Sequence, residues 1–123
     1  GGCLETFLSE RGFEDDYERI TGERHDAASI AAAAATGDIV ADSGVQVFED
    51  RLGRATATII SLFDPQMIIL GGMVPLPERL ETRVPRKWPG YVQINRTKTR
   101  LAVSANGADA LLKGAALLMS GKD

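Results

Sequence analysis

The run Asp64-Pro65-Gln66-Met67-Ile68-Ile69-Leu70-Gly71-Gly72 constrains the fold more than any other part of the sequence. Four consecutive apolar residues, Met67 to Leu70, stand between a proline and a glycine pair, too few for a helix. They do not alternate with polar residues, as a strand with one wet face does. A short, continuous apolar strand has both faces covered, which is the signature of a parallel sheet lying among helices. Immediately before it, Val45, Phe48, Leu52, Ala55, Ile59 and Leu62 recur at steps of three and four, the pattern of a long amphipathic helix. Asp38 can cap its start. Asp64-Pro65 ends it, because the residue before a proline avoids helical geometry.

The flanking segments extend the alternation. Leu4, Phe7, Leu8, Phe13, Tyr17 and Ile20 have roughly helical spacing, and Gly12 divides that stretch into two short predicted helices ended by Thr21-Gly22. Ala27 to Thr36 is an alanine-rich helix with Asp26 as N-cap and Gly37 as its stop; its thinness favours close packing. A further helix is predicted from Pro77 to Lys87, broken by Pro85 and Pro89. Tyr91 to Ile94 and Thr99 to Ser104 read as strands, and Asn106-Gly107 leads into an apolar helix from Ala108 to Met119. Helices alternating with strands define the α/β class. At 123 residues, the chain (1–123) makes one domain with a real core and is too short for two.

Composition removes several function classes. Hydrophobic residues at 44% and charged residues at 25% are those of a globular protein, not a disordered one. Apolar runs such as Ile30 to Ala35 fall far short of the roughly 20 residues that cross a membrane. The start, Gly1-Gly2-Cys3, shows no leader pattern. A single cysteine excludes an internal disulfide framework and suits a reducing compartment, so the expected setting is the cytoplasm. The formal charge of -3 is uneven: twelve acids and three bases in residues 1–50, five acids and eleven bases in residues 51–123. Seven bases fall between Arg79 and Arg100, a stripe able to meet phosphate or simply to face solvent. Only Trp88 and Tyr91 accompany them, which gives little support to a nucleic-acid platform.

Three places hold residues suited to ligands. Gly71 and Gly72, just past the carboxyl end of the buried strand, let a ligand reach the backbone; a tight turn would need them equally. Neither a Walker A lysine nor G-x-G-x-x-G is present, which disfavours P-loop and Rossmann sites. Asn106-Gly107 precedes a helix start, where free amides hold phosphate or merely an ordinary cap. In Gly2-Cys3-Leu4-Glu5 the carboxylate can accept hydrogen bonds from sugar hydroxyls and the thiolate can bind zinc. One cysteine cannot make a four-ligand site, and the lone His25 sits in a charged turn with no partner at ligand spacing. Asp15-Asp16 reads as a solvated helix face.

Taken in order, these motifs resemble the ROK family of sugar kinases. Gly2-Cys3-Leu4-Glu5-Thr6-Phe7-Leu8-Ser9 with Gly12-Phe13 and Asp16-Tyr17 resembles the end of the family's C-x-C-G-x-x-G-C-[LI]-E zinc and sugar motif, together with the segment after it. Asp64 to Gly72 resembles its D-P-x-x-I-x-L-G-G signature, and Lys113-Gly114-Ala115-Ala116 its G-A-A closing helix. The E-T-F-[LI]-S…G-F…D-Y wording is most similar to bacterial fructokinases.

The resemblance implies a ribonuclease H-like, actin-like ATPase fold: the carboxyl-terminal domain of a hexokinase-type two-domain sugar kinase, without its amino-terminal lobe. It implies phosphoryl transfer from ATP, with Mg2+, to the 6-hydroxyl of a hexose, fructose foremost. Glu5 would hold the sugar, Gly71 and Gly72 would border the adenosine, and Cys3 would be one ligand of a structural Zn2+ site left incomplete here. The remaining zinc ligands, the phosphate-binding loop and the catalytic aspartate have no counterpart in these residues. Ser9-Glu10-Arg11-Gly12 stands where fructokinases show Ser-Gly-Thr-Gly, and Met73 where a third glycine is common. No catalytic residue is therefore expected in this stretch, and none of its own kinase activity. A homodimer is expected from the family, with no membrane partner. The alternatives are the sugar-sensing core of a ROK-type transcriptional repressor, the one reading that brings in nucleic acid, and an interaction module made of the half-domain alone.

Overall fold

Strand pairing organises the molecule around the glycine-terminated run. The computed structural model describes residues 2–72, 74–92 and 98–104. Met67–Gly72 (β2) is the middle strand of a parallel sheet, flanked by Cys3–Leu8 (β1) and Arg100–Val103 (β3). The register runs from Cys3↔Met67 to Leu8↔Gly72 on one side and from Met67↔Arg100 to Leu70↔Val103 on the other. Helices Glu10–Thr21 (α1), Ala27–Ala35 (α2) and Ile39–Phe63 (α3) connect β1 to β2, and Pro77–Lys87 (α4) with the 3₁₀ turn Trp88–Gly90 lies between β2 and β3. The fold is α/β, as the glycine-bounded run implies.

Three elements depart from their predicted form. Leu4 to Leu8 is a strand, not the first of two helices. Leu4 and Leu8 fit a period of two as well as a helical one. Residue-by-residue pairing with β2 decides between them, a tertiary contact overriding local spacing. Gly12 then opens a helix instead of dividing one, since its N–H donates to Oγ of Ser9, the N-cap of α1. Pro85 does not break α4, which runs through it to Lys87; the change to 3₁₀ geometry comes at Trp88–Gly90. Tyr91 and Val92 form a turn, their N–H groups donating to the Trp88 carbonyl, so a strand does not begin there. The rest of that predicted strand, Asn106-Gly107 and the Ala108 to Met119 helix lie outside the described residues.

The helical boundaries otherwise follow their capping residues. Asp26 and Asp38 accept from the Ser29 and Ala41 amides, starting α2 and α3. Asp64 ends α3 in the left-handed region (φ 47°), its N–H donating to the Ile60 carbonyl ahead of Pro65. Along α3 the buried face holds Val45, Phe48, Leu52, Thr56 and Ile60, whereas Ala55 is exposed and Leu62 is 70% exposed. The apolar spacing from Val45 to Leu62 repeats every seven residues. A straight helix drifts about 20° per heptad against such a repeat, so the three-four spacing leaves the buried face toward the carboxyl end of α3, where Thr56 and Ile60 are buried instead.

Ile68 and Leu70 point from β2 into the core formed with α1–α4, joined by Phe13, Ile30, Val45, Phe48, Leu80, Val84 and Trp88. Phe13 and Phe48 meet edge to face with ring centroids 5.2 Å apart. Strand alternation sends Cys3, Glu5, Ile69 and Ala102 to the opposite face of the sheet. Among the described residues, no helix is long and apolar enough to cross a membrane.

Candidate functional site

The carboxyl ends of parallel strands are where open α/β sheets bind ligands; Gly71 and Gly72 stand there, whereas Glu5 lies mid-strand and Cys3 opens β1 at its amino end. Gly71 and Gly72 end β2 opposite Phe7 and Leu8. Gly72 has φ +86°, and a Cβ placed on it would lie 2.7 Å from the Leu8 carbonyl oxygen. The close approach of two backbones therefore requires this glycine whether or not a ligand is bound. Glu5 sits two residues before the Phe7↔Gly71 pair, roughly 7 Å down the strand at about 3.3 Å per residue. It is half-buried, paired in register with Ile69, and its Oε1 is buried without a hydrogen-bond partner among the described residues. A carboxylate oxygen out of water and unpaired is costly, so this position suits a donor supplied from outside.

Beyond Gly72 the chain turns through Leu76, a non-glycine residue in the left-handed region (φ 49°, ψ 62°), into α4. A cavity of about 450 Å³ opens here between the end of α2 and the first turn of α4, lined by Ala34, Ala35, Leu76, Pro77, Glu78 and Arg79. Its walls combine small apolar side chains with the charged Glu78 and Arg79. The cation among these lining residues is engaged elsewhere: Arg79 Nε and Nη2 each donate at 3.1 Å to a different oxygen of Glu49, and Nη1 donates to Asp42. Glu49 is 1% exposed, with Arg83 Nη1 3.8 Å away. The Arg79 guanidinium, helped by the Gln46 amide, holds the Asp42 carboxyl below the usual carboxylate range. With Arg79 paired to two carboxylates and Glu78 also in the lining, the cavity is poorly suited to a phosphate. Sequence reasoning missed this cluster because its partners lie 30 and 37 residues apart, and a charged residue in a basic stripe carries no mark of burial.

The remaining candidates fare differently. Cys3 is exposed on the same face as Glu5, and no group of three metal-ligating side chains exists among the described residues. The residues present do not make a zinc site by themselves. His25 lies against Glu23 (Nε2 to Oε2, 3.2 Å) and edge-on to Tyr17 (centroids 5.5 Å). Asp15 is exposed as expected, but Asp16 is not on a solvated face. It is 2% exposed, accepts from Arg19, and has Arg51 Nη1 3.1 Å from an Oδ2 that lies out of line for a hydrogen bond. The position packs against α3, where burial plus two arginines is a sound home for a carboxylate.

A parallel sheet with helical crossovers is the fold class of the actin-like ATPases. The fold matches that of a ROK hexokinase from Thermus thermophilus with a TM-score of 0.67, at 27% identity over 90% of this chain and 38% of the other. The ROK family model matches residues 1–122, and the chain belongs to that family. It is 32% identical over 117 residues to N-acetyl-D-glucosamine kinases of Vibrio parahaemolyticus and Aliivibrio fischeri, covering 95% of this chain and 39% of each of theirs. A third, from Pectobacterium carotovorum, is 31% identical over the same length, 38% of that protein. The chain thus spans about two-fifths of the length of the curated relatives it matches.

Proposed function

We propose that these residues form part of an ATP-dependent hexose kinase, contributing one wall of the sugar site and one of the nucleotide site. Glu5 carries the sugar side of this reading. Its carboxylate oxygen, buried and unpartnered among the described residues, accepts from a hexose hydroxyl and orients the ring. Gly71, Gly72 and the cavity at the start of α4 border the adenosine. Phosphoryl transfer is largely positioning plus neutralisation of charge. Mg2+ is usually held by substrate phosphates with one or two carboxylates, which is consistent with its arriving on the nucleotide. The proton-accepting carboxylate is not assigned to this chain, so the 123 residues alone should be inactive. Cys3 offers a single zinc ligand; dimerisation and a cytoplasmic setting remain part of the same proposal.

The sugar is proposed as N-acetylglucosamine first, after the names of the relatives above, with fructose second because of the E-T-F-L-S wording at Glu5 to Ser9. All three of those relatives are named as kinases, which favours the kinase over the repressor reading. The test is Glu5→Gln in the complete gene product carrying these residues. A hydrogen bond to a charged group is worth about 1.5–3 kcal/mol, so kcat/KM for the sugar should fall roughly 10- to 100-fold while KM for ATP holds. A fall below about threefold in a folded variant would remove Glu5 from the sugar site.

A further inference from the structure

We propose that Arg79 is a positioning residue, setting the width of the nucleotide cavity through the ion pairs that tie α4 to α3; the inference rests on the nucleotide reading above. One cavity wall is the end of α2 (Ala34, Ala35) and the other is Leu76 to Arg79. Local structure gives the second wall little support, because Leu76, the α4 N-cap, has left-handed backbone geometry and no side-chain cap hydrogen bond. Such geometry persists only where the surroundings over-determine it. Arg79 supplies that constraint. It reaches Asp42 in the first turn of α3 and Glu49 two turns further on, fixing both the position and the rotation of α4's first turn. The first turn of α3 comes directly after the α2 wall through Thr36-Gly37-Asp38. Asp42–Arg79 therefore spans the two walls by the shortest route.

The chemistry requires arginine. A planar fork donates to both Glu49 oxygens and still has an N–H for Asp42; a lysine ammonium, a point donor on a flexible stem, cannot reproduce that geometry. Lysine nevertheless keeps the charge that buried Glu49 needs, so Arg79→Lys alters wall geometry while limiting the destabilisation expected from an unpaired buried charge. Because Arg79 is spoken for, the clamp acts on binding of the base and ribose, not on phosphate or sugar.

The experiment uses the complete gene product and measures KM for ATP, KM for the sugar, kcat, and adenosine binding as the phosphate-free probe. In Arg79→Lys, KM for ATP should rise at least tenfold and adenosine affinity should fall in parallel, with kcat and sugar KM within twofold. Asp42→Asn, which removes one arm at a half-exposed site, should give a smaller shift of the same kind, about threefold, and serves if the lysine variant does not fold. Ala35→Trp, an exposed residue on the opposite wall, separates the two claims. If it raises KM for ATP while both clamp variants leave that value unchanged, the cavity holds nucleotide and the positioning role is overturned. If Ala35→Trp and the clamp variants all leave ATP and adenosine binding untouched, the nucleotide reading of the cavity fails and this inference fails with it.

Discussion

Trp88→Ala is expected to destabilise the domain by about 3–5 kcal/mol, the range for emptying a large buried aromatic site. Trp88 is 1% exposed and heads the fully buried side chains by volume. It closes the core under Leu80 and Val84 where α4 gives way to the 3₁₀ turn. Its indole Nε1 donates to Thr56 Oγ1 at 2.8 Å, and that hydroxyl donates to the Leu52 carbonyl at 2.7 Å, so the ring also pins α4 to α3. Trp88→Phe separates the two contributions: it keeps most of the apolar area, and losing one neutral hydrogen bond should cost about 1 kcal/mol. Urea unfolding with an unchanged m-value measures both. A loss below about 1.5 kcal/mol for the alanine variant would mean that Trp88 does not close the core in this way.

The second large effect concerns Gly72. A side chain there meets two penalties at once. The left-handed backbone costs a non-glycine residue roughly 1–2 kcal/mol. The added Cβ would sit 2.7 Å from the Leu8 carbonyl and 3.4 Å from its nitrogen, which are backbone atoms of the neighbouring strand. They cannot swing aside as a flexible side chain does, and overpacking of this kind adds about 1–3 kcal/mol. Gly72→Ala should therefore cost about 2–5 kcal/mol in all. Gly12→Ala is the matched control. It lies in the first turn of α1, where an added Cβ would meet nothing within 4 Å, and the change should be neutral or stabilising by up to about 1 kcal/mol. If both substitutions are equally harmless, β1 and β2 do not approach as closely at their carboxyl ends as Gly72 indicates.

These two residues also show what could be read from the chain and what could not. The buried strand, its glycine end, and the caps at Asp26, Asp38 and Asp64 arise from local chemistry, so α2, α3 and β2 fall where spacing and capping put them. β1 does not, because Leu4 and Leu8 satisfy helical and strand periods alike and only pairing with Met67–Gly72 chooses between them. Burial of Asp16 and Glu49 was equally hidden. Each depends on arginines brought across from another element or turn, and a carboxylate carries no sequence mark of such a partner. Glu5, Gly71 and Gly72 could be picked out as candidates because strand ends and glycine pairs have general ligand-binding logic. The cavity beside them could not, since alanines at the end of one helix become a wall only when another helix stands opposite.

The central claim, a sugar kinase, is tested most directly by assaying ATP-dependent phosphorylation of N-acetylglucosamine, fructose, glucose and mannose by the complete gene product that carries these residues. Phosphate transfer to at least one hexose, dependent on Mg2+, is the expected result. A folded protein that binds a hexose yet transfers phosphate to none of the four would contradict it.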